Sequence, residues 1–315
     1  MRVIPLEAFR DKIPFAVAVR AVERGFRALG LGEATLPDPL VMELPAQRAE
    51  VHVKGAQLHG GRHIVLKLAT GFYGNRARGL PSGDGMFLLL DAETGAPDVL
   101  LEEHGYLTDL RTAAAVALTL KYLAPKDATE ALLVGAGALA RLTARAMLAE
   151  MPLQRLTLWN RTRERAAALA AELAPLVKTS VAPALESAVR DSRVIVTATA
   201  STTPLVMAAW VQPGAHVTSV GTGSPEKIEL EPALLARADK LVADRVLQTE
   251  RYGNLHHAIA AGAVGRDKIY AELGDLAAAR RPGRERADEL TVADLTGVGV
   301  QDAAIAQAVV EVLGL

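Results

Sequence analysis

Two glycines and an alanine stand between an apolar run and a helical pattern in the segment "VGAGALA", with the spacing Gly135-x-Gly137-x-x-Ala140. The first glycine permits a tight turn, the second lets the backbone approach a pyrophosphate, and the small third residue allows close packing of helix on strand. The free N–H groups and positive dipole end of the following helix attract phosphate. The predicted dinucleotide contacts in this segment are Gly135, Ala136, Gly137, Ala138, Leu139 and Ala140.

A second apolar run, "RLTLW", ends in the polar residues Asn160, Arg161 and Thr162. In a Rossmann unit this strand ends beside the adenosine ribose, where an acidic residue selects NAD and an arginine accommodates the 2′-phosphate of NADP. No carboxylate follows before Glu164. The sequence therefore predicts that NADP(H) is preferred over NAD(H). Further candidate cofactor contacts follow in later apolar runs: Thr197, Ala198, Thr199 and Val220.

These residues need a parallel sheet to position them, and the pattern after Lys126 indicates one. Short apolar strands such as "ALLVGAG", "RVIVTATA" and "KLVAD" alternate with helical segments, which is typical of a sheet covered on both faces. Residues from about 40 to 105 have β-type runs instead, followed by a helix in "LTDLRTAAAVALTLKYLA". The predicted fold is α/β, a Rossmann-type doubly wound parallel sheet plus a second, α+β domain.

Composition excludes several classes of function. The chain has 315 residues, a net charge of -1 and 50% hydrophobic residues, without a basic block, so nucleic acid and membrane surfaces are not expected partners. It contains no cysteine, which fits a reducing, cytoplasmic compartment, and the charged N-terminus does not look like a signal peptide. The uncharged stretch 194–225 contains Pro204 and Pro213, which favours two buried strands over a membrane span.

Three further stretches, "VLKLATGFYGN", "YLTDLRTAAAVAL" and "VGTGSPEKIEL", have the glycine fingerprint between the second and third. Together they resemble the ornithine cyclodeaminase/μ-crystallin family from about residue 36 to the end. The resemblance implies a substrate and dimerisation domain at 1–115, completed by about 290–315, and a Rossmann NADP-binding domain at 116–289. It also implies a homodimer and hydride exchange between nicotinamide and the α-carbon of an imino or amino acid.

The same resemblance implies roles for individual residues. Lys67 matches the catalytic lysine and Arg111 the arginine that holds the substrate carboxylate, while Asn75 lies in the family's loop near the site. Thr296 stands where relatives often have a serine near the nicotinamide. Without the resemblance, Lys67 reads as a strand lysine reaching solvent and Arg111 as a surface residue at a helix start.

Two positions depart from the family pattern. Gly223 stands where cyclodeaminases have an aspartate that assists loss of ammonia. Pro39 stands where relatives often have an additional arginine that binds the substrate carboxylate, and Arg76 or Arg78 is expected to compensate for it. The sequence therefore favours an NADPH-dependent reductase of a cyclic ketimine acid such as pyrroline-2-carboxylate. The alternatives are an ornithine cyclodeaminase, an alanine-type amino-acid dehydrogenase and a non-catalytic NADPH-binding protein.

The other polar residues that could do chemistry are predicted to have structural roles. Thr108 is predicted to cap the helix that carries Arg111, and Asp302 to cap the terminal helix. His59 and His63 flank two glycines, which favours a loop over a helical metal-binding pair, so no metal site is predicted.

Overall fold

The computed structural model describes residues 1–315, with the side chain of Arg76 outside the described part. The first elements are β1 (Arg2–Ile4), α1 (Phe15–Leu31), β2 (Ala34–Thr35), β3 (Leu40–Leu44), β4 (Ala49–Leu58), β5 (His63–Phe72), β6 (Gly83–Asp91), β7 (Pro97–Glu102) and α2 (Tyr106–Leu123). The middle elements are β8 (Glu130–Val134), α3 (Ala138–Glu150), β9 (Arg155–Trp159), α4 (Arg163–Leu173), β10 (Lys178–Val181), α5 (Leu185–Arg190), β11 (Val194–Thr197) and β12 (Thr202–Val206). The last elements are β13 (His216–Ser219), β14 (Ile228–Leu230), α6 (Pro232–Arg237), β15 (Lys240–Ala243), α7 (Val246–Thr249), α8 (Gly253–Ala260), β16 (Ile269–Glu272), α9 (Leu273–Ala277), β17 (Thr291–Asp294) and α10 (Gly299–Leu313).

The chain divides into two compact units. Unit 1 comprises Met1–Arg111 and Val298–Leu315, and unit 2 comprises Thr112–Gly297. Both boundaries differ from the predicted domains, 1–115 with about 290–315 and 116–289. The first division falls inside α2, and β17 pairs within the parallel sheet of unit 2, so the chain returns to unit 1 only after this strand.

Unit 1 contains a mostly antiparallel sheet with the strand order β1-β7-β6-β5-β4-β2, and β3 also pairs with β4. Side chains alternate between the two faces of such a strand. The face that carries Val65 and Lys67 on β5 and Phe87 on β6 is buried, and α10 packs against β4 and β5. Helix α1 packs on α10 and buries Val22 and Phe26, which completes the core of this unit.

Glycines bring the elements of unit 1 unusually close together. A Cβ added at Gly299, the first residue of α10, would lie 2.2 Å from the carbonyl oxygen of Gly55 on β4. A Cβ at Gly25 of α1 would lie 2.7 Å from the carbonyl oxygen of Val300. These distances are too short for any side chain, so both contacts require glycine.

The opposite face of the unit 1 sheet is apolar and partly exposed. The strand register aligns Leu40, Val53, Leu68 and Met86 in a row across β3, β4, β5 and β6. Leu40 is 56% exposed, Leu68 37% and Met86 41%. An apolar row of this kind on the open face of a sheet is a candidate surface for protein association.

Unit 2 confirms the predicted Rossmann-type sheet. Its strands run parallel in the order β10-β9-β8-β11-β13-β17-β15-β16, so the order reverses direction next to β8. The four adjacent strands β11, β13, β17 and β15 are buried at every residue, as expected for strands covered by helices on both faces. A separate small parallel pair joins β12 to β14.

Candidate active site

Lys67 lies near the middle of β5, on the face of the unit 1 sheet that α10 covers. Its side chain is 2% exposed, and its Nζ donates a hydrogen bond of 2.9 Å to Oδ1 of Asp302. Asp302 belongs to the first turns of α10 and is fully buried. A buried lysine requires such a partner, because an uncompensated charge in the interior is very costly.

Arg111 contacts the same carboxylate oxygen from α2. Its Nε lies 3.0 Å from Oδ1 of Asp302, but the N–H does not point along this contact, which makes it an ion pair rather than a hydrogen bond. Its Nη1 donates to Oε1 of Gln301 at 3.2 Å. Oδ2 of Asp302 makes no hydrogen bond to any described residue. The structure thus brings the two predicted residues, Lys67 and Arg111, together on one aspartate.

Burial and the neighbouring charges shift the pKa values of Lys67 and Asp302. Burial lowers the pKa of Lys67 and Arg111 lowers it further, whereas Asp302 opposes both by stabilising the ammonium. Burial alone would raise the pKa of Asp302, but the positive charges of Lys67, Arg111 and Lys54 outweigh it and lower that pKa. Lys54 is also buried and lies directly opposite Lys67 in the strand register. Lys67 is therefore a lysine whose proton is weakly held and whose protonated form depends on Asp302.

Two further carboxylates stand at the start of α2. Oε2 of the buried Glu103 accepts hydrogen bonds from the N–H groups of Leu107 and Thr108, at 2.7 and 3.2 Å. Glu103 therefore caps this helix, and the prediction that Thr108 does so was wrong, because Thr108 lies inside the helix. Burial, followed by the charge of Glu103, raises the pKa of the partly buried Asp109 to about 7.

The prediction that Asp302 caps the terminal helix was also wrong. The cap position is Val298, and Asp302 lies four residues further along, where it holds Lys67 and Arg111. Asn75 donates its side-chain amide to the carbonyl oxygen of Pro81, and no described contact joins it to the Lys67 cluster. The side chain of the candidate residue Arg76 lies outside the described residues.

In unit 2 the glycine fingerprint adopts the geometry that a bound pyrophosphate needs. Gly135 has φ +126°, and a Cβ there would lie 2.5 Å from the carbonyl oxygen of Ala198. The exposed Gly137 has open space where its side chain would be, and no described side chain caps α3, which begins at Ala138. Ala140 is fully buried against the sheet. The first N–H groups of α3 are thus available to an anion.

The predicted 2′-phosphate site lies at the start of α4. The amide of Asn160 donates to the carbonyl oxygen of Thr162 at 2.9 Å, which shapes the turn after β9. Thr162 precedes α4, and no described side chain caps this helix. Arg161 is exposed. An exposed arginine beside an uncapped helix start presents two kinds of N–H donor to a phosphate.

The other predicted cofactor contacts lie at the end of β11, in Thr197, or just beyond the ends of β11, β13 and β17. The hydroxyl of the buried Thr197 donates to Oε2 of Glu229, and both N–H and hydroxyl of Thr199 donate to its Oε1. Ala198 packs against Gly135, Val220 is 8% exposed, and the Thr296 side chain bonds to Asp244 and Gln248.

Sequence reasoning missed Asp302 as a site residue and did not assign Glu229 a role. Each of these acidic residues sits in a stretch that is otherwise largely apolar, "AAIAQAVV" after Asp302 and "IEL" around Glu229. A carboxylate within a buried apolar stretch must be paired, so this contrast was the available signal.

The strand order and the glycine turn define a Rossmann-type fold accompanied by a second, α+β unit. The chain belongs to the ornithine cyclodeaminase/mu-crystallin family, whose family model matches residues 8–314. It is 41% identical over 310 residues to an uncharacterized cyclodeaminase of Sinorhizobium fredii, with 97% of this chain and 94% of the relative covered. No helix in the described part of the chain is long and apolar enough to cross a bilayer.

Three solved structures are similar over nearly the whole chain. An archaeal alanine dehydrogenase dimer with bound NAD has a TM-score of 0.93 and 30% identity, with 99% of this chain and 95% of that chain covered. The Thermococcus litoralis Delta(1)-pyrroline-2-carboxylate reductase with NADH and L-proline has a TM-score of 0.94 and 26% identity, with 99% and 97% covered. The iminosuccinate reductase of Paracoccus denitrificans with NAD+ has a TM-score of 0.90 and 33% identity, with 100% and 96% covered.

Proposed function

We propose that this protein is an NAD(P)H-dependent oxidoreductase that reduces the carbon–nitrogen double bond of an α-imino acid. The observation that carries the proposal is the single buried carboxylate of Asp302, which holds both Lys67 and Arg111. One group with a weakly held proton and one fixed guanidinium are what an imino acid requires, because its nitrogen changes protonation and its carboxylate must be oriented. The similar structures that hold NAD, NADH or L-proline support the same chemistry.

The cluster of Lys67, Arg111 and Asp302 binds the substrate and supplies the proton. Arg111 binds the substrate carboxylate through the guanidinium nitrogens that Asp302 leaves available. Lys67 exchanges a proton with the substrate nitrogen, and its lowered pKa suits it to that task. A bound nicotinamide cofactor supplies the hydride, and Gly135, Gly137 and the start of α3 would hold its pyrophosphate.

The assay that tests this proposal follows oxidation of the reduced nicotinamide by purified protein with pyrroline-2-carboxylate, the cyclic ketimine we propose as a substrate. Lys67→Met keeps the side-chain length, leaves Asp302 paired with Arg111 and removes the proton. We expect it to bind cofactor normally and to lose turnover by about 100-fold or more. Absence of turnover by the wild-type protein with every imine tested would instead favour the non-catalytic NADPH-binding alternative.

We propose NADP(H) as the preferred cofactor, since the exposed Arg161 follows β9 and no carboxylate stands before Glu164. A charge-assisted phosphate contact contributes about 1.5–3 kcal/mol, roughly 10- to 100-fold in affinity. Arg161→Ala should therefore weaken NADPH binding by about tenfold or more and hardly change NADH binding. Equal losses for the two cofactors would contradict the NADP preference, and Arg163→Ala, in the first turn of α4, is the matched control.

Ornithine cyclodeaminase and alanine-type dehydrogenase remain the alternative activities. Cyclodeamination needs an additional acid or base, and Gly223 offers none. A Cβ at Gly223 would lie 3.8 Å from the carbonyl oxygen of Thr296, an ordinary van der Waals distance, so the backbone here accepts the first side-chain atom of an aspartate. Ammonia release from ornithine by the wild-type protein would overturn our preference, whereas release only by Gly223→Asp would support it. Oxidation of alanine but not of proline would favour the dehydrogenase.

We propose that the protein forms a homodimer through the exposed apolar row of unit 1, formed by Leu40, Val53, Leu68 and Met86. Covering this row removes apolar surface from water, at about 25 cal/mol per Å². The archaeal alanine dehydrogenase, similar over 99% of this chain, is described as a dimer. Light scattering of the purified protein tests the proposal directly.

A further inference from the structure

The carboxylate of Glu229 is the meeting point of five hydrogen-bond donors in unit 2. Its Oε1 accepts from the N–H and the hydroxyl of Thr199, both at 2.6 Å. Its Oε2 accepts from the hydroxyls of Thr197 and Ser219 at 2.8 and 2.7 Å, and from the N–H of Gly221 at 3.0 Å. Glu229 is completely buried, so this carboxylate contacts protein groups rather than solvent.

These donors come from the last residues of β11 and β13, Thr197 and Ser219, and from the two loops that follow these strands at the same edge of the parallel sheet. The Thr199 loop (residues 198–201) follows β11, and the Gly221 loop (residues 220–227) follows β13. The backbones of the two loops are in direct contact at Gly221 and Thr199. A Cβ at Gly221 would lie 1.8 Å from the carbonyl oxygen of Thr199, so no side chain has room there. The backbone of Glu229 is itself fixed, since its N–H donates to Oδ1 of Asn254 at 2.8 Å. One carboxylate therefore sets the spacing of both loops.

The position of the two loops relates them to one half of a dinucleotide. In a doubly wound sheet the cofactor lies across the point where the strand order reverses. Here β8, with the Gly135 turn, and β9, with the Asn160–Thr162 turn, lie on the adenosine side of that point. Strands β11 and β13 lie on the other side, so their loops border the nicotinamide half.

We propose that Glu229 is a positioning residue for the nicotinamide half of the cofactor, acting through the Thr199 and Gly221 loops without touching the cofactor. This inference rests on the proposed function, because it assumes that unit 2 binds a nicotinamide dinucleotide. It assigns a task to an acidic residue that the proposed reaction does not otherwise use.

Substitution of Glu229 by glutamine should move one of the two loops, because the amide cannot accept hydrogen bonds at both of its terminal atoms. Hydroxyl donors can rotate, but the backbone N–H groups of Thr199 and Gly221 cannot, and they point at different carboxylate oxygens. A glutamine offers one oxygen and one NH₂ group. Whichever way its amide is turned, one of these backbone N–H groups faces another donor, and its loop must move.

The experiment compares binding of NADPH with binding of 2′,5′-ADP, a probe of the adenosine half, by isothermal titration calorimetry. We expect Glu229→Gln to weaken NADPH binding by about tenfold or more and to leave 2′,5′-ADP binding within about twofold. Glu231→Gln is the matched control, since the Glu231 side chain accepts only from the N–H of Ala208 among the described contacts and lies outside both loops. It should leave both affinities unchanged.

Two results would overturn the inference: unchanged NADPH affinity in Glu229→Gln, or an equal loss for NADPH and 2′,5′-ADP, which indicates general disruption. If Glu229→Gln does not fold, Ser219→Ala answers the same question, because it removes one donor and keeps the carboxylate. It should weaken NADPH binding by about threefold without affecting 2′,5′-ADP, and no change would count against the inference. A wild-type protein that binds neither of these nucleotides but binds NADH would overturn only the NADP preference, whereas one that does not bind NADH either would overturn the proposed function as well.

Discussion

Asp302→Asn is the most informative single substitution, because it removes one negative charge from between two buried cations without changing side-chain size. At an effective dielectric of about 20, each contact of Asp302 Oδ1, to Lys67 Nζ and to Arg111 Nε, contributes about 6 kcal/mol of Coulomb attraction. Desolvation offsets most of this attraction. Breaking a buried pair of this kind costs about 3–5 kcal/mol, because the remaining charges stay buried and uncompensated.

Thermal unfolding measures this cost. We expect the transition of unit 1 to fall by on the order of 10 °C in Asp302→Asn, following the usual relation between free energy and melting temperature. Glu311→Gln is the matched control in unit 1, because Glu311 also lies on α10 but pairs with Arg24 at the surface, where ion pairs contribute about 1 kcal/mol or less.

The same variant predicts a change in the pH dependence of the proposed reaction. Asp302 raises the pKa of Lys67 against burial and Arg111, so its loss must lower that pKa. The pH at which activity falls as Lys67 loses its proton should therefore move down in kcat/KM profiles. A structural role alone would reduce activity without moving this pH. An unmoved profile, or a variant as stable as the wild-type protein, would refute the ionic coupling described here.

Three further predictions concern other parts of the molecule. The pKa of Asp109 is about 7 in the folded protein against 3.8 as its ordinary value, so the stability from its retained proton is complete below about pH 4 and is lost as pH rises to 7. Asp109→Asn should therefore gain melting temperature relative to the wild-type protein between pH 4.5 and 8, and a constant difference would contradict this pKa. Gly135→Ala places a Cβ 2.5 Å from the carbonyl oxygen of Ala198 at φ +126°, and calorimetry should detect at least tenfold weaker dinucleotide binding, or roughly 1.4 kcal/mol. Met86→Lys puts a charge in the apolar row of unit 1 and should shift light-scattering mass toward the monomer, whereas Lys121→Met, a change on the exposed part of α2, should not.

Local patterns were sufficient to predict most of the fold. Uniformly apolar strands separated by helices occur only where a sheet is covered on both faces, and the β8-to-α3 turn has a spacing that few other structures require. The helix that carries Arg111 was predicted from its alanine-rich pattern and is confirmed. No local pattern marks the first domain boundary, because α2 continues through it without any change in composition.

The site depended on contacts that no local pattern records. Lys67 and Asp302 are 235 positions apart, and neither flanking sequence indicates the other. An aspartate near the start of a helix is usually a cap, and this common role hid the ion pair. Glu103 was overlooked for a related reason, since it reaches forward to cap α2 from outside the helix.

The glycine contacts of unit 1 have a consequence for how such an enzyme can change. The backbone of α10 lies directly on the backbone of β4 at Gly299 and Gly55, because neither residue has a side chain. This short distance between helix and sheet also sets the distance between Asp302 and Lys67. A single methyl group at Gly25 or Gly299 would lift the helix, lengthen the lysine–aspartate contact and make the ammonium more acidic, although neither residue touches a charged group. A substitution that only adds side-chain volume at Gly25 or Gly299 can thus lower the pKa of Lys67 without contacting it.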